Sequence, residues 1–90
     1  MLEASLTVLN PLGLHARAAA QLVRLASGFK SKIMLSRPDT NAFADAKSIL
    51  SVLTLAASMG TLLQVTVEGE DANEAMSAIS QLFAQGFGEI

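Results

Sequence analysis

The only histidine of the chain, His15, stands in the stretch Asn10-Pro11-Leu12-Gly13-Leu14-His15-Ala16-Arg17, with an arginine two residues on. That pair suits phosphoryl transfer. A neutral imidazole is a nucleophile, and a guanidinium is a planar, fork-shaped cation matched to phosphate oxygens. The stretch lies where a strand pattern gives way to a helix pattern. Gly13 permits the backbone geometry of a sharp turn, and the alanine-rich run from Ala16 to Ala20 starts a helix by intrinsic propensity. His15 therefore falls near the N-cap. The amides of Ala16, Arg17 and Ala18 would lack intrahelical acceptors, so an anion carried on His15 would meet backbone donors and the positive end of a helix dipole. The same helix end disfavours an imidazolium and favours the nucleophilic ring. The plainer reading of a lone histidine in a polar turn is a solvated surface residue.

The totals set bounds on what such a residue can do. Ninety residues make one domain, spanning residues 1–90, with little room for an internal substrate cavity, so chemistry belongs on the surface. Hydrophobic residues at 51% and charged residues at 16% describe a chain that folds around a core. The absence of cysteine excludes a disulfide framework, a thiolate nucleophile and a zinc-thiolate site, and one histidine leaves little for a metal. The N-terminus Met1-Leu2-Glu3-Ala4 has neither the basic segment nor the long apolar run of a secretory signal, which points to the cytoplasm.

Twenty residues from Ser48 to Val67 carry no charge, about the length of a membrane-spanning helix. Serines, threonines, Gln64 and Gly60 interrupt the run, and its last third alternates apolar with polar. A short helix, a loop and a strand fit it better. The formal net charge of −2 is unevenly placed: six basic residues against three acidic ones up to Lys47 leave +3, and five acidic residues with no base afterwards leave −5. Such polarity can steer a partner protein to the basic half, which contains His15. Six bases without exposed aromatic clustering make a poor track for nucleic acid.

The elements that must position His15 follow from periodicity. Leu2, Ala4, Leu6 and Val8 alternate with Glu3, Ser5 and Thr7 as a first strand. The helix after the turn places Ala19, Leu22, Val23 and Ala26 on one face and Arg17, Gln21 and Arg24 on another, and Gly28 ends it. Ser31 to Arg37 reads as a second strand, Pro38 to Asn41 as a turn and Ala42 to Ala44 as a third strand. Ser48 is placed to cap a short helix over Ile49 to Leu53, and Leu63, Val65 and Val67 mark a fourth strand. Asp71 and Glu74 have the spacing of a capping box. The helix they open is striped by Ala72, Ala75, Met76, Ile79, Leu82 and Phe83, and Gly86, Phe87 and Gly88 end it and leave a short tail. Strand, helix, strand, strand, helix, strand, helix makes an α+β sandwich with helices over one sheet face. Nothing in the periodicity decides the strand order.

Gly13-Leu14-His15-Ala16-Arg17, followed by Ala18-Ala19, resembles the active-site signature of the HPr family, the small phosphocarriers of bacterial phosphotransferase systems, whose pattern is Gly-Leu-His-Ala-Arg-Pro-Ala. Ala46-Lys47-Ser48-Ile49-Leu50 resembles the family's second motif, which carries a regulatory serine, and Gly69-Glu70-Asp71-Ala72 with Glu74-Ala75 resembles the start of its last helix. The resemblance covers essentially the whole chain in one register. It implies an open-faced antiparallel sheet in the order 1-4-2-3, covered by three helices. It also implies a phosphohistidine at Nδ1 of His15, charged by phosphorylated enzyme I and discharged to a IIA-type acceptor in sugar uptake or in a nitrogen-type regulatory branch. Arg17 would stabilise the phosphate together with the amides of Ala16, Arg17 and Ala18. Ser48 would be phosphorylated by a serine kinase/phosphorylase, and Arg24, Lys47, Ile49, Leu50 and Leu53 would meet partner enzymes. Such a protein is a carrier without cofactor or metal, working as a monomer. Ala18 replaces the family's common proline, which removes a rigid first turn and adds an amide donor. Leu12 and Met59 replace residues that are often polar, or charged or proline, in their loops. The alternative reading is a non-catalytic interaction or ligand-binding module of the same architecture, in which His15 is incidental.

Overall fold

Period-two alternation of apolar and polar residues decides which face of the sheet is covered. In the computed structural model, which describes residues 1–89, strands β1 (Leu2–Thr7), β2 (Lys32–Arg37), β3 (Ala42–Asp45) and β4 (Leu62–Glu68) form one antiparallel sheet in the order β1-β4-β2-β3. The register lines up the apolar positions. Leu6 faces Leu63, Ala4 faces Val65 and Leu2 faces Val67 across one boundary of β4. Ile33 and Leu35 face Val67 and Val65 across the other, and Leu35 also faces Ala44. Ile33, Leu35, Leu63, Val65 and Val67 are fully buried. Burial of each such side chain is worth about 1.5–3 kcal/mol.

Helices α1 (Ala16–Ser27), α2 (Ile49–Thr54) and α3 (Ala72–Ala84) give the expected α+β open-faced sandwich. α1 contributes buried Ala18, Ala19, Leu22 and Ala26 to the core, and α3 contributes Ala75, Ile79 and Phe83. The small residues of α1 allow close approach, and the larger side chains of the sheet and α3 fill the space they leave. Among the described residues, no helix is long and apolar enough to cross a membrane, and the uncharged run from Ser48 resolves into α2, a loop and β4.

Two local expectations are corrected, while Gly28 ends α1 as expected. Its φ of −77° is right-handed, and the helix closes with Gly28 and Phe29 amides donating to Leu25 and Ala26 carbonyls. No left-handed glycine is needed where tightened turns satisfy the last carbonyls. Asp71 is the N-cap of α3 without a side-chain cap hydrogen bond. Its carboxylate instead accepts from the backbone amides of Lys30 (2.8 Å) and Ser31 (2.9 Å) and from the Ser31 hydroxyl, tying the entry of β2 to the entry of α3. The segment after α3 is also more than a tail. Gly86–Gly88 form a 3-10 turn in which Phe87 is 2% exposed and packs edge-to-face on Phe83, with ring centroids 5.1 Å apart.

Candidate functional site

Gly13 builds the turn that delivers His15. Its φ is +69°, and its amide donates to the Asn10 carbonyl (3.1 Å). The next amide, that of Leu14, donates to the Ala57 carbonyl (2.8 Å), which presses the loop against the segment that follows α2. Leu14 is then buried in the core as an anchor. His15 comes next, extended at φ −75° and ψ −179°, as the N-cap of α1. The first helical hydrogen bond runs from the Ala19 amide to the His15 carbonyl (2.8 Å), so Ala16, Arg17 and Ala18 have no intrahelical acceptor for their amides. These three donors lie in the first turn of α1, directly after His15, and the His15 side chain does not cap them. The side chain is 27% exposed, accessible on one side and held on the other.

The group that holds it is Glu89. Its carboxylate pairs with Nε2 of His15 and accepts a second hydrogen bond from Nδ2 of Asn10 (3.2 Å). The same Asn10 amide group donates to the Gly13 carbonyl (2.7 Å), so the loop and the C-terminal turn share one buried side chain. The His15 hydrogen bond holds the Glu89 carboxyl below the usual glutamate range. Partial burial works against that lowering, and Asn10 adds to it. An ionised carboxylate only accepts, so the proton in this contact sits on Nε2. Among the described residues, Nδ1 makes no hydrogen bond. The ring is therefore fixed by one nitrogen and open at the other.

A family model described as "PTS HPr component phosphorylation site" matches residues 2–85. The chain belongs to the HPr family of phosphocarriers. It is 51% identical over 89 residues to the phosphocarrier protein HPr of Xylella fastidiosa (strain Temecula1), covering 99% of this chain and 98% of that one. It is 45% identical over 89 residues to the HPr of Cupriavidus necator, with the same coverage. Among solved structures, an HPr from Thermoanaerobacter tengcongensis superposes with a TM-score of 0.94 at 38% identity, covering 100% of this chain and 99% of that one. The family resemblance and the four-stranded fold thus agree with the HPr relatives.

The other residues expected at an HPr surface are placed unevenly. Arg17 and Arg24 are exposed on α1, and among the described residues neither makes an ion pair. Lys47 is half-buried, its Nζ donating to the Phe29 carbonyl (2.8 Å). Arg37 grips the end of α2 through the Leu55 and Ala56 carbonyls and pairs with Asp39, while Lys30 pairs with Glu70. The cationic surface left over belongs mainly to α1, next to His15. On α2, Ile49 and Leu50 are exposed, Val52 is buried and Leu53 packs partly on the core. Leu12 and Met59 are exposed in the two loops that Gly13 and Ala57 bring together. Ser48 is the N-cap of α2 as expected, its Oγ accepting from the Ser51 amide at 3.4 Å.

Glu89 and the structural role of Asn10 escape a reading of the sequence. Asn10 looks like an ordinary turn residue, and Glu89 lies 74 positions from the ring it touches. The one local hint is Gly86-Phe87-Gly88, where a lone aromatic between two glycines has no reason to sit in a solvated tail.

Proposed function

We propose that this chain carries a phosphoryl group on His15 from phosphorylated enzyme I, charged by phosphoenolpyruvate, to a IIA-type acceptor. The observation that carries this reading is the placement of His15 at the N-cap of α1, accessible and with Nδ1 open, inside a sequence matched by the HPr phosphorylation-site model. Nδ1 attacks phosphorus, the bond to the donor breaks, and the electron pair of that bond leaves with the donor. The amides of Ala16, Arg17 and Ala18 and the Arg17 guanidinium receive the phosphoryl oxygens. Prepositioned donors of this kind stabilise charge that develops in transfer without being reorganised at that moment. The acceptor then takes the phosphoryl group by the reverse sequence of events.

In this reading the protein works in the cytoplasm as a monomer and uses one face for two partners in turn. Ile49, Leu50 and Leu53 supply apolar contact beside His15, and Arg24 and Lys47 supply charge. Ser48 is the regulatory site, phosphorylated by an ATP-dependent kinase. Incubation with phosphoenolpyruvate and enzyme I, followed by intact mass measurement, should give one acid-labile, base-stable phosphoryl adduct. His15→Ala should lose the adduct while keeping its circular dichroism spectrum. A wild-type chain that takes no phosphate, or a folded His15→Ala that still does, would overturn the assignment.

A further inference from the structure

We infer that Glu89 is a positioning residue for phosphoryl transfer: its carboxylate holds the proton of His15 on Nε2 and so leaves the lone pair on Nδ1, the atom that attacks. The inference rests on the phosphocarrier reading of His15 and assigns the atom-level choice within it. Three observations carry it. The Glu89 carboxylate meets the ring at Nε2, and among the described residues that is the ring's only hydrogen bond. Glu89 is itself oriented, because Asn10, fully buried, donates to its other oxygen while bracing the Gly13 carbonyl of the histidine loop. The backbone that presents Glu89 is strained. Gly86, Phe87 and Gly88 all have positive φ, at 57°, 55° and 79°. A phenylalanine in that region is disfavoured, because its Cβ comes too close to the following carbonyl oxygen. Its burial against Phe83 offsets the strain and locks the turn that aims Glu89 back across the molecule.

The chemistry follows from charge. When Nδ1 forms its bond to phosphorus and the donor departs with the electron pair of the broken bond, Nε2 keeps its proton and the ring gains positive charge shared over both nitrogens. The carboxylate at Nε2 offsets that charge. It also fixes ring orientation, as a buried carboxylate does for the working histidine of a hydrolytic triad. Nothing is oxidised or reduced, and no proton leaves the ring.

The test uses the full chain with Glu89→Ala and Glu89→Gln, the second keeping the size of the side chain while removing its charge. Nitrogen NMR of the 15N-labelled ring at about pH 9, above the ordinary histidine range, reads the tautomer without any partner. Phosphoenolpyruvate and enzyme I then give the initial rate of labelling. The wild type should show the proton on Nε2. Both variants should shift the tautomer balance toward the proton on Nδ1 and label about 10- to 100-fold more slowly, the range seen when an outer-shell partner of a metal-ligating histidine is removed, with unchanged circular dichroism. Glu89→Asp should recover part of the rate. A ring spectrum unaltered in Glu89→Ala would overturn the inference whatever the labelling does. So would a variant whose tautomer changes while its rate matches a labelled wild type. A wild type that never labels would instead overturn the phosphocarrier reading, and the positioning role with it, while the ring spectrum would still report the contact.

Discussion

Gly13 lies so close to Ala57 that a Cβ built on it would sit 2.5 Å from the Ala57 carbonyl oxygen and 2.9 Å from the Ser58 α-carbon. Both of those atoms belong to backbone, which cannot swing aside like the end of a side chain. The same carbonyl accepts the Leu14 amide, so the contact that excludes a side chain also aligns the peptide leading into His15. Gly13→Ala should therefore do two things at once. The positive φ and the steric conflict should destabilise the fold by roughly 1–3 kcal/mol, read by urea unfolding. Labelling of His15 should also slow under conditions where the variant is fully folded. A variant that is destabilised but labels at the wild-type rate would show that the loop finds its geometry without Ala57.

Arg17 sits in the first turn of α1, exposed and without an ion-pair partner among the described residues, so its charge contributes little to the folded state. Its effect should appear when a phosphoryl group arrives. Arg17→Glu should leave the melting temperature nearly unchanged while removing roughly 1–3 kcal/mol of transition-state stabilisation, the scale of a charged hydrogen bond. Rapid-quench measurement of transfer from enzyme I would read this as a loss of about 5- to 150-fold. Wild-type kinetics in the variant would remove Arg17 from the site.

Asp71 predicts a dependence on pH. The Ser31 hydroxyl, first, and the Lys30 amide, second, hold its carboxyl below the usual aspartate value of 3.8. The folded state therefore prefers the ionised form more strongly than the unfolded chain does. The stability this contributes is fully present above the ordinary value and is lost as pH falls through the lowered folded one. Asp71→Asn should be less stable than wild type at pH 7, by several degrees in melting temperature. The difference should narrow on acidification below about pH 4, because the wild type loses its advantage there. A difference between the two chains that stays constant from neutral pH to acid would show that the Ser31 tie does not depend on the charge of Asp71.

These contacts mark the boundary of what is legible in the sequence. Strand faces are readable because the side-chain period is two: Leu63, Val65 and Val67 stand out as a buried row and prove fully buried. The N-cap position of His15 is readable because a turn glycine and an alanine run bracket it. The order β1-β4-β2-β3 is not a matter of periodicity, since alternation along a strand does not say which strand lies beside it, and it comes only from the resemblance. Asp71 misleads because a local pattern, acid followed three residues later by Glu74, is outcompeted by donors 40 and 41 residues away. Glu89 is hidden for the same reason. Its partner is chosen by how Phe87 folds the end of the chain back, and no local period records that.

Ser48 distinguishes a structural role from a regulatory one, and the geometry sharpens the distinction. As a cap it is weak: its Oγ receives the Ser51 amide at 3.4 Å, near the limit of a hydrogen bond. Ser48→Ala should accordingly fall at the low end of the roughly 0.5–2 kcal/mol expected for losing a helix cap. Regulation makes a different demand. Ser48 directly precedes Ile49 and Leu50, both exposed, so a phosphate placed on it would bring about −1.5 to −2 charges to the edge of an apolar contact surface. A partner docking there would have to desolvate that charge, and an acidic partner would also be repelled. At the start of α2 the added charge is not unfavourable for the helix, so the fold should survive. Ser48→Asp should then melt like the wild type but raise the apparent Michaelis constant of enzyme I for this carrier, with little change in the rate at saturation. If Ser48 only caps α2, Ser48→Asp should be indistinguishable from wild type in both measurements, because aspartate caps as well as serine. Melting curves and His15 labelling across a range of carrier concentrations, for Ser48→Asp and Ser48→Ala side by side, decide between the two. Labelling of Ser48→Asp that superimposes on the wild-type curve would exclude regulation through this encounter.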